Sequence, residues 1–105
     1  LFGLLAEAGN AQKTDLIALD NGNQVIGEVK SLSRGTLTYK TDHMGTLSVK
    51  WEHVVMIDSD KQFQVETQDG RVLLGDLRPT GESRMVQIGA DTLPMIELVV
   101  ATRIR

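Results

Sequence analysis

With 105 residues, 41% of them hydrophobic and 24% charged, the chain has the composition of one small globular domain, or of two very small ones that lean on each other, and not of a disordered segment. A balance of 11 Lys and Arg against 14 Asp and Glu gives a formal charge of −3, which provides no large positive field for gathering nucleic acid, and Phe2, Tyr39, Trp51 and Phe63 are too few to build a base-stacking surface. The absence of cysteine excludes structural disulfides, zinc-thiolate sites and thiol catalysis.

Residues 1–14 admit two readings. Leu1-Phe2-Gly3-Leu4-Leu5 followed by the small-x-small triads Ala6-Glu7-Ala8 and Gly9-Asn10-Ala11 reads as a signal-peptide remnant. The same residues read as a short N-terminal helix, with Leu1, Leu4, Leu5 and Ala8 at helical spacing. No other segment is long enough to cross a bilayer as a helix.

From Asp15 onward the apolar residues fall at period two, the signal of a strand with one dry face. Ile17 and Leu19, Val25 and Val29, Leu37 and Tyr39, then Leu47, Val49 and Trp51, and finally Val55 and Ile57 each line one face. Thr36, Thr38, Lys40, Ser48 and Lys50 fill the places between. Asn21-Gly22 predicts a type I′ hairpin, and Arg34-Gly35 and Met44-Gly45 place a glycine at each of the next two turns.

The second half echoes the first. Asn21-Gly22 returns as Asp69-Gly70 and Gly27 as Gly75, both at a separation of 48 residues, 70 − 22 and 75 − 27. Val25-x-Gly27-x-Val29 matches Leu73-x-Gly75-x-Leu77, and Trp51-Glu52-His53-Val54-Val55 aligns with Ile96-Glu97-Leu98-Val99-Val100 at a separation shortened to 45, 96 − 51. A strand glycine on the inward face lets a long strand bend sharply enough to serve both sides of a barrel. Glu28 and Asp76, beside the two glycines, are expected on the outward face, where they favour solubility.

The expected fold is therefore all-β: two tandem five-stranded small barrel units, residues 15–58 and 61–105, packed together as one cooperative body. These features resemble the SH3-like and Sm-like small barrels. The run from Asp15 through Asn21-Gly22 and Gly27 to Val29, continued by Gly35, Leu37, Tyr39-Lys40-Thr41-Asp42, Gly45, Leu47, Val49, Trp51 and Val54, more narrowly resembles the N-terminal periplasmic region of the salt-induced outer-membrane protein family. The resemblance implies a periplasmic or cell-envelope location ahead of a membrane β-barrel, which lies outside this sequence. The RNA pocket of Sm proteins is not carried over: Ser31-Leu32-Ser33-Arg34-Gly35 replaces its first loop, and Leu98 to Arg105 contains no glycine.

No catalytic constellation is present. The serines lie in no nucleophile elbow, and His43 and His53 have no spacing that would hold them together with Asp42 or Glu52 around a metal. Asp20-Asn21-Gly22-Asn23 and Asp58-Ser59-Asp60 lack the pattern of a calcium loop and read as turns. No cofactor is expected. Positions that differ between the halves, namely His43, Met44, Trp51 and His53, form the candidate binding surface, with Trp51 expected to pack the barrel end as Ile96 does in the second half. The function expected from the sequence is a non-catalytic interaction or structural module of the envelope, with a protein as partner through strand edges or an adjoining membrane barrel. The alternative is an Sm-like RNA-binding or ring-forming protein, which the acidic charge and the missing pocket residues disfavour.

Overall fold

A computed structural model describes residues 13–104 of the chain. Of residues 1–14, on which the two N-terminal expectations rest, residues 1–12 lie outside the described residues; Lys13 and Thr14 lead into the first strand without regular structure. The strands are β1 (Asp15–Leu19), β2 (Gln24–Ser33), β3 (Thr36–Lys40), β4 (Thr46–Lys50), β5 (Val54–Thr67), β6 (Val72–Pro79), β7 (Met85–Ile88), β8 (Asp91–Pro94) and β9 (Leu98–Arg103). Single 3₁₀ turns, Trp51–His53 and Met95–Glu97, introduce β5 and β9, and the described residues contain no α-helix.

All the strand pairs are antiparallel, and four strands close on themselves. β1 pairs with β2 and with the first half of β5, while β9 pairs with the second half of β5 and, through Ser31–Ser33, with the end of β2. The result is a small closed barrel. β3 and β4 extend it beyond β2, and β7 and β8 extend it beyond β6. The boundary expected between 58 and 61 falls inside β5, whose 14 residues run through Ser59, Asp60 and Lys61 without interruption.

One buried cluster fills the interior. It joins Ile17, Val29, Leu32, Leu37, Tyr39 and Ile57 to Phe63, Val65, Leu77, Val86, Ile88 and Ala101, so residues from both halves of the sequence share one core. Alternation sets most of this and breaks at register shifts, in β2 between Val29 and Leu32, in β9 between Leu98 and Ala101, and at the start of β5. Val54 and Ile57 are the buried residues at the start of β5, while Val55, expected to face inward, is only half-buried. The register against β1 shifts there, pairing Ala18 with Met56 but Leu19 with Val54, so Val55 is the extra residue of a bulge.

The Asn21-Gly22 turn also departs from the sequence expectation. Only Gly22 has a positive φ, +91°; its N–H donates to Leu19 O (2.9 Å), Leu19 N–H donates to Asn23 O (2.9 Å), and Asn21 Oδ1 accepts from Asn23 N (2.9 Å). This is a three-residue loop, a type I turn followed by a glycine bulge, and not type I′. The true type I′ geometry lies at Arg34-Gly35, where both residues have positive φ between the paired Ser33 and Thr36.

At Gly27 the backbone leaves no room for a side chain. A Cβ there would lie 2.5 Å from Lys40 O and 2.7 Å from the Tyr39 ring. Tyr39 is fully buried beneath it, its hydroxyl shared between Asp15 O (2.9 Å) and Val25 O (2.8 Å). Asp15, also buried, accepts from Val29 N–H through Oδ2 (2.8 Å) and meets Lys61 Nζ through Oδ1 (3.3 Å). Burial, then the nearby Asp15 carboxylate, push the Tyr39 phenol well above its ordinary value, so it stays a donor throughout the physiological range. Gly75 is equally confined, since a Cβ there would meet Gly89 N at 2.6 Å.

Glu28 lies opposite Lys40 on the outward face, as parity assigns it, but it is not solvated there. It is buried, and Oε2 accepts from Arg103 Nη1 at 2.9 Å, with Lys30 Nζ at 3.7 Å. Where β2 bends from β1 towards β9 its register against β3 shifts between Val29 and Ser31, and the start of that bend brings Glu28 against the end of β9. Burial raises the Glu28 pKa, but the Arg103 hydrogen bond and the fields of Lys30, Arg103 and Lys13 outweigh it and leave the carboxyl below its ordinary value. Asp76 is half-buried and makes no ion pair among the described residues.

Three outcomes follow for stability. Heating gives a single calorimetric transition with matching calorimetric and van't Hoff enthalpies, because the core is shared; two independent reversible transitions would contradict it. Gly27→Ala destabilises by about 2–3 kcal/mol in chemical denaturation, since its methyl group meets backbone that cannot move aside cheaply. A group held below its unfolded-state pKa stabilises above that pKa and stops doing so as pH falls through the folded one. Glu28→Gln therefore lowers stability by about 1 kcal/mol at neutral pH, and the difference from wild type shrinks as pH falls through the acid range in which the carboxylate is protonated. A difference unchanged by acid would show that the pair does not carry it.

Candidate functional site

The residues singled out in the sequence do not form one surface. Trp51 opens the first 3₁₀ turn, is buried, and donates from Nε1 to Met95 O at 2.7 Å. Met95 opens the second 3₁₀ turn and is itself buried, whereas Ile96 is 73% exposed. The structural counterpart of Trp51 is therefore Met95 and not Ile96, and Leu98, not Val99, stands where Val54 does. The separation between the two 3₁₀ turns is 44 residues, 95 − 51, one fewer than the apolar matches suggest.

His43 and Met44 are exposed in the β3–β4 turn. Thr41 organises this turn: its N–H and hydroxyl both donate to Gly45 O (2.8 and 2.9 Å), and Met44 N–H donates to its Oγ1 (2.8 Å). These contacts account for the turn without any ligand. His53 lies at the other end of β4, about 13 Å or more further along at strand rise. Among the described residues no three His, Asp or Glu side chains converge as a metal site.

His53 does line a groove. Asp20 and Asn21 of the β1–β2 turn, Leu19 and His53 form one wall, and Leu47 to Lys50 of β4 form the other. Four consecutive residues of β4 line it because, among the described residues, β4 pairs only with β3, so its second edge is open there and borders the groove. Leu19, Leu47 and Val49 point towards the core but remain half-exposed there. The extension beyond the closed barrel thus ends in an open seam, with apolar side chains and free strand backbone both accessible.

The far wall is electrostatically fixed. Asp20 Oδ2 lies 2.9 Å from His53 Nδ1 and 3.8 Å from Arg84 Nη2, and Asp20 N–H donates to His53 O (2.9 Å). The His53 hydrogen bond, ahead of the fields of His53 and Arg84, holds the Asp20 carboxyl below its ordinary value. Arg84 is held in turn, with Nη1 donating to Glu52 O (2.8 Å), its N–H to Val55 O (2.8 Å) and its carbonyl accepting from Met95 N–H (2.9 Å). Its φ is +65°, which these three bonds sustain. Arg84 went unnoticed in the sequence because it lies 32 residues from Glu52, and no local pattern marks such a contact.

The cations divide unevenly over the surface. Lys13, Lys30, Lys61, Arg71, Arg78, Arg84 and Arg103 each lie within 4 Å of a carboxylate. Among the described residues Arg34, Lys40 and Lys50 have no such partner, and all three belong to β3, β4 and the turn before them. Their register explains the grouping. Thr36 pairs with Lys50, Thr38 with Ser48 and Lys40 with Thr46, so the outer face of this hairpin carries only hydroxyls and lysines.

An apolar seam with an open strand edge can accept an extended chain. Comparison with family models, curated proteins and solved structures finds no match to this chain. Asp20→Asn checks how the groove wall is held. The variant is expected to lose the backbone order of His53 and Arg84, read as increased amide exchange at Asp20 and Arg84, while β2 and β9 keep their protection. Unchanged exchange at both amides would show that the carboxylate does not hold the wall.

Proposed function

We propose that this chain is a non-catalytic interaction module whose working surface is the open edge of β4 and the groove beside it, serving a periplasmic or outer-membrane-associated protein. The observation that carries the reading is the seam itself. β4 combines free backbone hydrogen-bonding groups with half-exposed Leu47 and Val49, whereas the short end strand β8 ends in Pro94 and buries Leu93. Five residues without proline, left unpaired on one side, suit strand addition. The envelope location rests on the sequence resemblance.

We also read the fold as two tandem five-stranded units of SH3-like or Sm-like type that share β5. The pairing registers support this. Asp15 faces Gly27, Leu16 Ile26 and Ile17 Val25 in β1–β2; Phe63 faces Gly75, Gln64 Leu74 and Val65 Leu73 in β5–β6, each pair displaced by the same 48 residues. The ring-forming alternative draws less support, since β9, the last strand, is hydrogen-bonded on both edges and offers none to a neighbour.

A photo-crosslinking residue in place of Ser48, in the complete protein and in cells, tests the function. The expected outcome is a discrete crosslinked species in the envelope fraction that is absent when the same residue replaces exposed Gln87. Recovery of the protein only in the cytoplasm, or crosslinks equally frequent from both positions, would count against the reading.

A further inference from the structure

The same seam carries information about what it accepts, and this inference rests on the reading of β4 as the docking edge. A strand laid along β4 has a period-two pattern imposed on it. Its inward residues meet Leu47 and Val49 of β4 and Leu19 across the groove, all apolar. Its outward residues run beside Thr46, Ser48 and Lys50, with Lys40 one strand further on and Arg34 at the end where Lys50 stands. These are the three cations left without a carboxylate among the described residues, on a chain whose formal charge is −3.

Carboxylates near this face are already engaged. Glu28, opposite Lys40, is buried and bound by Arg103 and Lys30; Asp42, next in sequence, lies 3.3 Å from Lys13; and Asp20 on the groove wall is held by His53 and Arg84. Among the described residues, Arg34, Lys40 and Lys50 on this side of the hairpin therefore have no carboxylate within 4 Å, and the hairpin's free edge is that of β4. A hydroxyl-and-lysine face alone would suit any polyanion. The open backbone and the half-exposed leucine and valine set into the adjoining seam favour a polypeptide over a polysaccharide or a lipid headgroup.

We propose that β4 receives an extended peptide segment in which apolar residues alternate with acidic ones, the apolar residues sealing the seam over Leu19, Leu47 and Val49 and the carboxylates facing Lys50, Lys40 and Arg34. Pairing gives affinity through the main chain, and the alternation gives register, because a one-residue slip would turn carboxylates into the apolar seam. The occupant is a partner chain of this chemistry. A second copy of β4 would bring a further lysine to the same face and no carboxylate.

The test uses the 105-residue chain with isotope-labelled amides and a short capped peptide alternating glutamate and valine as the probe. Expected are saturable amide shifts concentrated at Thr46–Lys50, Leu19–Asn21 and His53, new exchange protection along β4, and weakening as salt is raised. Lys40→Glu together with Lys50→Glu, both at exposed positions, weakens binding by about fivefold or more and transfers preference to a peptide alternating lysine and valine. No shifts at β4, or equal binding of both peptides by the wild type, would overturn the proposal. Shifts on the Ser/Thr/Lys face with heparin fragments, without β4 protection by either peptide, would overturn it in favour of a polyanion site. If crosslinking from Ser48 still succeeds in cells while the acidic peptide fails, the docking edge stands and the proposed chemistry of its partner falls.

Discussion

Strand β9 is hydrogen-bonded along both edges, to the end of β2 through Ser31–Ser33 and to the second half of β5 through Phe63–Thr67. This strand closes the ring that β5 and the shared core begin. Without it, β2 would leave β1 after Gly27 with β3 as its sole partner, and the second half of β5 would have only β6. Closing the ring requires two long strands, β2 with 10 residues and β5 with 14, each of which pairs with one neighbour along its first part and with another along its second. It also joins residues some 70 positions apart, a non-local contact whose entropy must be met before the core repays it, so closure of β9 on β2 is expected late in folding.

The bend in β2 is where backbone geometry and side-chain chemistry meet. Gly27 lets Lys40 O and the Tyr39 ring approach to distances that no Cβ would tolerate. Turning the strand also frees polar groups, and these are satisfied: Asp15 takes Val29 N–H, and the Tyr39 hydroxyl serves Asp15 O and Val25 O. At the corresponding bend, Phe63 occupies the place opposite Gly75 that Asp15 occupies opposite Gly27, and the backbone at Gly89 fills the space beside the glycine. The same bend is thus stabilised once by a buried polar network and once by close backbone packing. Exchanging members singly between the two would leave either an unpaired buried carboxylate or a void.

Net charge conceals how the charges are distributed. Ion pairs neutralise seven of the described cations locally, and Glu28 and Asp15 do so from within the structure. Among the described residues, the cations left without a carboxylate partner are gathered on the β3–β4 hairpin, beside the strand edge that has no partner there. A composition that discourages polyanion binding by the whole molecule is therefore compatible with a local positive face, because at physiological salt fields between exposed charges fade within about 8 Å.

Much of the fold was legible in the sequence. Alternation from Asp15 onward marked the strands, glycines marked the turns and bends, and the recurrence of Gly22 and Gly27 as Gly70 and Gly75 set the register of both hairpins, since φ > 0 and close approach are local demands that only glycine meets cheaply. Parity failed where the backbone is irregular, at the Val55 bulge and in the one-residue slip that matches Trp51 with Met95, and parity alone could not show that Arg103 would cover Glu28 on its outward face. Of the candidate site, only His53 proved to border the groove, and neither Arg84 on its wall nor the three unpartnered cations could have been selected from sequence. By itself the sequence determined which residues could face inward and where the chain could turn, because both depend on neighbours within a few positions. Only the tertiary structure decided that β9 would close the barrel on β2, that β4 would keep an open edge, and which charges would find partners, because each is a contact between segments that chain order does not bring together.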